Sequence, residues 1–168
     1  MKKSIVAVAG LTFSRINSAF DLSALLHADL QTEEISDKYI PIPENDYAIQ
    51  FKAPKIEGGE KNGRKWGRLE LPVTVIDPAV KDDMGIGQDE EVRSQYNIFL
   101  DLTDEGLIAS GVNKNVALGQ LLAALGMKEG EVKLSEIENK TALGRFKHKL
   151  NTETQRIRAE LVAILPAE

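Results

Sequence analysis

Residues Asp46–Ile76, DYAIQFKAPKIEGGEKNGRKWGRLELPVTVI, read as two β-strands joined by a flexible basic loop. Tyr47, Ile49, Phe51 and Ala53 fall on one face of the first strand, and Leu69, Leu71, Val73 and Val75 on one face of the second. Apolar residues at a period of two mark a strand buried on one side. Between the strands, Gly58, Gly59, Asn62 and Gly63 supply the positive-φ positions that a turn needs. The same loop carries Lys55, Lys61, Arg64, Lys65 and Arg68 around Trp66, the chain's one tryptophan. Cations gathered around an aromatic suit a polyanion with stackable bases; a solvated, charge-rich hairpin tip is the alternative.

The chain has 168 residues, enough for one domain with a real core or for one domain plus an extension. Its 42% hydrophobic and 28% charged content is ordinary for a soluble globular protein. No apolar run approaches the ~20 residues that span a bilayer, so no membrane partner is expected. The opening MKKSIVAVAGLTF breaks at Ser14-Arg15 without a sustained apolar stretch and is not read as a secretory signal. The absence of cysteine excludes disulfides and thiolate metal sites and agrees with a reducing compartment.

The net charge of −5 argues against wrapping duplex DNA as a polycation. Local recognition depends instead on how charge is distributed, and here it is uneven. Residues 52–68 hold six Lys/Arg against Glu57 and Glu60, and residues 140–158 hold six against Glu153 alone. Between them, Asp77–Glu91 carries six acids against Lys81. Two basic islands flank an acidic one.

Residues 1–38 read as an extension, with a short strand at Ile5–Ala9 and an amphipathic helix at Ala19–Leu30. Phe20, Leu22, Leu25, Leu26 and Leu30 share the apolar stripe of that helix, which needs a surface to dock on. His27 within it reads as a surface residue, because no second ligand clusters nearby. Pro41-Ile42-Pro43 then opens a β-domain over residues 39–168. Pro72 places an edge or a bulge in the second strand. Asp77–Asp89 reads as a long solvated loop, Val92–Leu102 as a third strand and Thr103–Gly111 as a loop. Asn113–Leu125 is the clearest helix, capped by Asn113 and stopped at Gly126. Ser135-x-x-Glu138 predicts a short helical turn. Thr141–Leu150 and Gln155–Leu165 form the last two strands around a turn at Asn151–Thr154, with Ile157, Ala159 and Leu161 of the final strand inward.

The order β–β–β–α–β–β is that of an OB-type fold: a five-stranded, partly open barrel with one helix between strands 3 and 4. In such barrels the 1–2 and 4–5 loops and the face of strands 2 and 3 contact oligonucleotides. The basic islands fall on those elements. The expected nucleic-acid contacts are therefore Lys55, Lys61, Arg64, Lys65, Trp66 and Arg68 on the first hairpin, and Arg145, Lys147, Lys149, Arg156 and Arg158 on the last. Tyr96 and Phe146 are further candidates to stack on bases, the alternative being core; both lie on the apolar side of alternating strands, which favours core.

The run PIPENDYAIQFKAPKI…GRKWGRLELPVTV, the strand FLDLTDEG and the helix NKNVALGQLLAALGM, followed by a glycine-bearing strand and a charged final strand, resemble a family of small bacteriophage proteins. These are similar to single-stranded-DNA-binding proteins of phage replication and recombination. The resemblance covers Ile40–Leu165, and its most specific piece is the LGxLLxALG pattern within Asn115–Met127. It implies a single-stranded-DNA partner and the cytoplasm of a bacterial host. The N-terminal helix is then left for a second copy or for a replication or recombination protein.

Catalytic chemistry lacks its residues. The acids Asp82-Asp83, Asp89–Glu91 and Asp101/Asp104/Glu105 show no spacing that converges them on a metal, and Glu131-Val132-Lys133 sits in a short charged loop. Neither His27 nor His148 lies near a nucleophile elbow, and no phosphate-binding Gly-Lys-Ser/Thr loop occurs. No cofactor and no metal are expected. The sequence thus predicts a non-catalytic single-stranded-DNA binder with little sequence preference, the alternative being a protein–protein adaptor or structural phage protein on the same barrel.

Overall fold

The computed structural model describes residues 22–36 and 38–167. The chain divides into a unit over residues 1–39 and a second over residues 40–168. In the first, the expected α-helix is instead a 3₁₀ helix at Leu22–His27, followed by a shorter one at Thr32–Glu34. Leu22, Leu25, Leu26 and Leu30 are all exposed. An amphipathic helix draws most of its stability from burying its apolar face, and here that face is exposed. Residues 19–21 of the expected helix and the expected strand Ile5–Ala9 lie outside the described residues.

The second unit is mainly β. Its strands are β1 (Asn45–Phe51), β2 (Lys55–Lys61), β3 (Arg64–Val75), β4 (Arg93–Leu100), β5 (Thr141–Asn151) and β6 (Arg156–Leu165). All pairings are antiparallel, in the order β2-β3-β1-β5-β6, with β4 on the other edge of β3. Two expectations are corrected here. There are six strands rather than five, and the sheet is not closed into a barrel. β4 and β6 approach within 8 Å between Cα atoms but share no ladder hydrogen bonds, leaving a cleft between them.

The sixth strand comes from the segment read as a loop. Glu57–Lys61 pairs with Arg64–Arg68 through a two-residue turn at Asn62 (φ 52) and Gly63 (φ 75). Two successive left-handed residues twist with the strands, which is why Asn-Gly favours tight hairpins. β1 and β2 lie along the same edge of β3, because residues of β3 that pair with either one also pair with β4 on the opposite side. Lys52-Ala53-Pro54 separates them. Pro72 sits opposite that break: its carbonyl accepts from the Lys52 N–H at 2.9 Å, and having no N–H it returns no bond, so the β1 ladder ends there.

One apolar cluster joins Tyr47, Ile49 and Phe51 of β1, Leu69, Leu71, Val73 and Val75 of β3, Ile98 and Leu100 of β4, Phe146 of β5 and Leu161 of β6. The alternation read in the sequence is what lines it. Two helices pack on it, α1 (Pro78–Met84) through Val80 and α2 (Val116–Ala124) through Leu118 and Leu121. α1 replaces the expected acidic loop. Asp77 caps it through a bond from the Ala79 N–H, Pro78 opens it and Gly85 (φ 69) stops it. At α2 the cap position belongs to Asn115 rather than Asn113. The buried Asn115 amide accepts from the Asp101 N–H at 2.7 Å and donates to the carbonyls of Asp101 and Ala109.

The buried Tyr47 hydroxyl donates to Asp83 of α1 at 2.9 Å. Burial and this carboxylate raise the phenol to about 12 from an ordinary 10.0. Because the folded value lies above the unfolded one, the stabilisation is fully present below pH 10 and is lost as pH rises toward 12. Two pH units correspond to at most about 3 kcal/mol. Urea titrations between pH 9 and 12 should show wild type losing up to that amount relative to Tyr47→Phe. Parallel pH curves for the two proteins would remove Tyr47 from the alkaline transition.

Candidate nucleic-acid interface

Both basic islands sit on hairpin arms that leave the core. Every residue of β2 is exposed, as are Arg64, Lys65 and Trp66 of β3. The last arm is exposed from Lys147 to Arg158. Cross-strand register then sorts the side chains by face.

On the β2–β3 arm, Lys55, Glu57, Gly59 and Lys61 stand opposite Glu70, Arg68, Trp66 and Arg64. These residues share the face turned away from the core. The adjacent strand β4 adds Asn97 beside Glu70 and Phe99 beside Arg68. Trp66 is 37% exposed and Phe99 71% exposed, so two aromatic side chains of neighbouring strands meet solvent on one sheet face. The Trp66 indole lies across Gly59, where a Cβ would stand 3.4 Å from its Nε1. At Gly58 a Cβ would come within 2.6 Å of the Trp66 carbonyl oxygen, so this approach of β2 to β3 admits only glycine. The two glycines read as turn residues thus lie inside a strand and seat the tryptophan.

Phe99 was not among the residues singled out from the sequence. The signal was present: if Tyr96, Ile98 and Leu100 face the core, Phe99 between them faces out. An aromatic at an outward strand position is the unusual feature.

The cations divide by their partners. Arg68 bonds both Glu57 and Glu70, and Arg145 holds Asp46 through paired contacts of 2.9 and 3.0 Å. The arginine keeps the Asp46 carboxyl below its ordinary range. Lys65 points to the opposite face, 3.4 Å from Glu60 and against Gly106. Lys149 lies 3.9 Å from Glu160. Among the described residues, Lys55, Lys61, Arg64, Lys147, Arg156 and Arg158 form no ion pair. Two of the ladder pairs set like charges directly opposite, Lys61 with Arg64 and Lys149 with Arg158. Such pairs destabilise a sheet unless an anion lies between them.

The structure therefore brings Lys55, Lys61, Arg64, Trp66 and Arg68 onto one face and sets Lys147, Lys149, Arg156 and Arg158 on one face of the other arm. Lys65 is turned away from the first group. Phe146 is fully buried against Tyr47, at 6.1 Å between ring centroids, and Tyr96 is half-buried with its phenol raised by burial. Three of the acids considered for metal chemistry have structural partners: Asp83 takes the Tyr47 hydroxyl, Asp82 the Gln88 amide and Asp101 the Asn115 N–H. Among the described residues no group of three or more His, Asp or Glu is placed to hold a metal. No helix among them is long and apolar enough to cross a membrane.

No protein-family model matches the chain, and no curated protein matches it in sequence.

Gly58→Ala should force β2 away from the Trp66 backbone and unseat the indole while leaving the core intact, because the arm lies outside it. Trp66 emission should move to the red and iodide quenching should increase, with the cooperative unfolding transition retained. Unchanged emission and quenching would mean the glycine contact does not hold the indole.

Proposed function

We propose that the chain is a non-catalytic binder of single-stranded DNA, with little sequence preference, serving phage or prophage DNA replication or recombination. The observation that carries this reading is the outward face where Trp66 and Phe99 lie among the unpaired cations Lys55, Lys61 and Arg64. Bases stack on such rings at ~1–3 kcal/mol each regardless of identity, while cations beside them follow the phosphates. The like-charged ladder pair Lys61–Arg64 supports the same reading, since phosphate between them would relieve their repulsion.

The strand order supports an OB-type relationship. β1 and β2 stand as two parts of a first strand, β3 and β4 follow, a helix intervenes, and β5 and β6 complete the set. In such folds the face of the second and third strands carries the nucleic acid, and here those strands are β3 and β4. The resemblance of Ile40–Leu165 to small phage proteins supports the replication or recombination setting.

Ion pairing makes the DNA reading quantitative. With six free cations engaged, log Kobs should fall with log[salt] at a slope of about −4, and each cation removed should flatten it by about 0.7. Lys61→Ala and Arg64→Ala should each do so, whereas Arg68→Ala and Arg145→Ala should leave the slope in place because their charges are already neutralised. Trp66→Ala with Phe99→Ala should weaken binding by ~10-fold or more at every salt concentration without altering the slope. Salt-independent binding, or no binding of a labelled single strand at low salt, would end the proposal.

A second reading, a protein-association role for the N-terminal unit, rests on the exposed leucines Leu22, Leu25, Leu26 and Leu30. Leu25→Asp with Leu26→Asp should abolish self-association or partner capture, measured by sedimentation and by pull-down of a replication or recombination protein. Association unaffected by these changes would set that role aside.

A further inference from the structure

The two strands at the open edges of the sheet, β4 and β6, face each other across a cleft of about 420 Å³. Register assigns its parts. Tyr96 and Leu161 point inward and form the floor, while Gln95 and Asn97 on one lip face Arg158 and Glu160 on the other. Tyr96 and Glu160 are half-buried. The floor is thus aromatic and apolar, and the lips carry amide, guanidinium and carboxylate groups. Gln95 donates to the Asn97 side chain at 2.8 Å, so the two amides are already aligned along one lip.

The spacing of the edges limits what can enter. Cα atoms of β4 and β6 come within 8 Å. A strand added between two edges needs twice the ~4.8 Å inter-strand spacing, so an extended peptide does not fit at this approach. A flat ring is thinner. Amides, arginine and glutamate are the side chains that read base edges, because they present donors and acceptors in the plane of the ring.

We propose that this cleft takes one nucleobase of a bound single strand and makes that single position base-selective. The inference rests on the single-stranded-DNA reading above and adds to it a readout that stacking and phosphate contacts do not supply. Tyr96 and Leu161 contact the ring, Gln95, Asn97 and Glu160 meet its edge, and Arg158 holds the adjacent phosphate.

The test uses the full chain and an otherwise abasic strand of about 20 nucleotides, longer than one site, bearing a single central A, C, G or T. Wild type should bind the best of the four roughly five- to fiftyfold more tightly than the worst. Gln95→Ala with Asn97→Ala, both at exposed positions, should erase that difference while preserving the salt slope. Trp66→Ala with Phe99→Ala should lower affinity for ordinary strands yet keep the difference between bases. Equal affinity for all four bases in wild type, or a difference that survives removal of both amides, overturns the pocket and leaves the DNA reading standing. Failure of every strand, abasic or ordinary, to bind in a salt-sensitive way overturns both.

Discussion

The architecture depends on β3 being paired along both edges. One edge carries β4 from Gly67 to Thr74, and the other is divided between β2 and β1. A twelve-residue strand is longer than its core contacts require, and the surplus becomes the β2–β3 arm. The division at Lys52-Ala53-Pro54 works because Pro72 lies opposite it, so one proline interrupts the edge where the other has no N–H to offer. Apolar residues at Leu69, Leu71, Val73 and Val75 anchor the inner part of β3, while the polar outer part projects with no core beneath it.

That projection governs the electrostatics. An arm outside the core keeps its charges in water, where a single ion pair is worth little and exposed lysines stay solvated. Arg68 and Arg145 are exceptions because each has carboxylates fixed by the ladder, Glu57 and Glu70 for one and Asp46 for the other. The overall charge of −5 therefore says little about these surfaces. The acids cluster at α1 and its flanks, where Asp77 caps a helix and Asp83 receives a buried phenol. Six cations of the two arms, Lys55, Lys61, Arg64, Lys147, Arg156 and Arg158, form no ion pair among the described residues.

Much of the fold was legible in the chain. Alternation placed β1, β3, β4, β5 and β6 and most of the faces that pack together, because a period of two is a property of consecutive residues. By that pattern Ala53 past the end of β1 and Ile157 on the projecting part of β6 read as inward, but both are exposed, since no core lies beneath them. The helix at Val116–Ala124 and the short turn at Leu134–Ile137 were also readable. The segment Lys55–Lys61 was not, since its glycines and charges resemble a loop, and only pairing with β3 makes it a strand. Asp77-Pro78 and Gly85 are proper helix start and stop signals, but the density of acids between them obscured a one-face helix whose single buried residue is Val80. The N-terminal stripe of leucines reads as an amphipathic helix, yet periodicity cannot supply the docking surface such a helix needs.

By itself the sequence determined most of the residues that face the core, where the charges gather and that Trp66 lies among cations. These follow from local pattern and composition. Only the tertiary structure decided which cations are free, that Phe99 joins Trp66 on one face, and that β4 and β6 stay apart around a cleft. Those depend on partners distant along the chain, such as Asp46 and Arg145, 99 residues apart. Cross-strand register brings such groups together, and register is set by the packing of the whole sheet rather than by any one stretch of it.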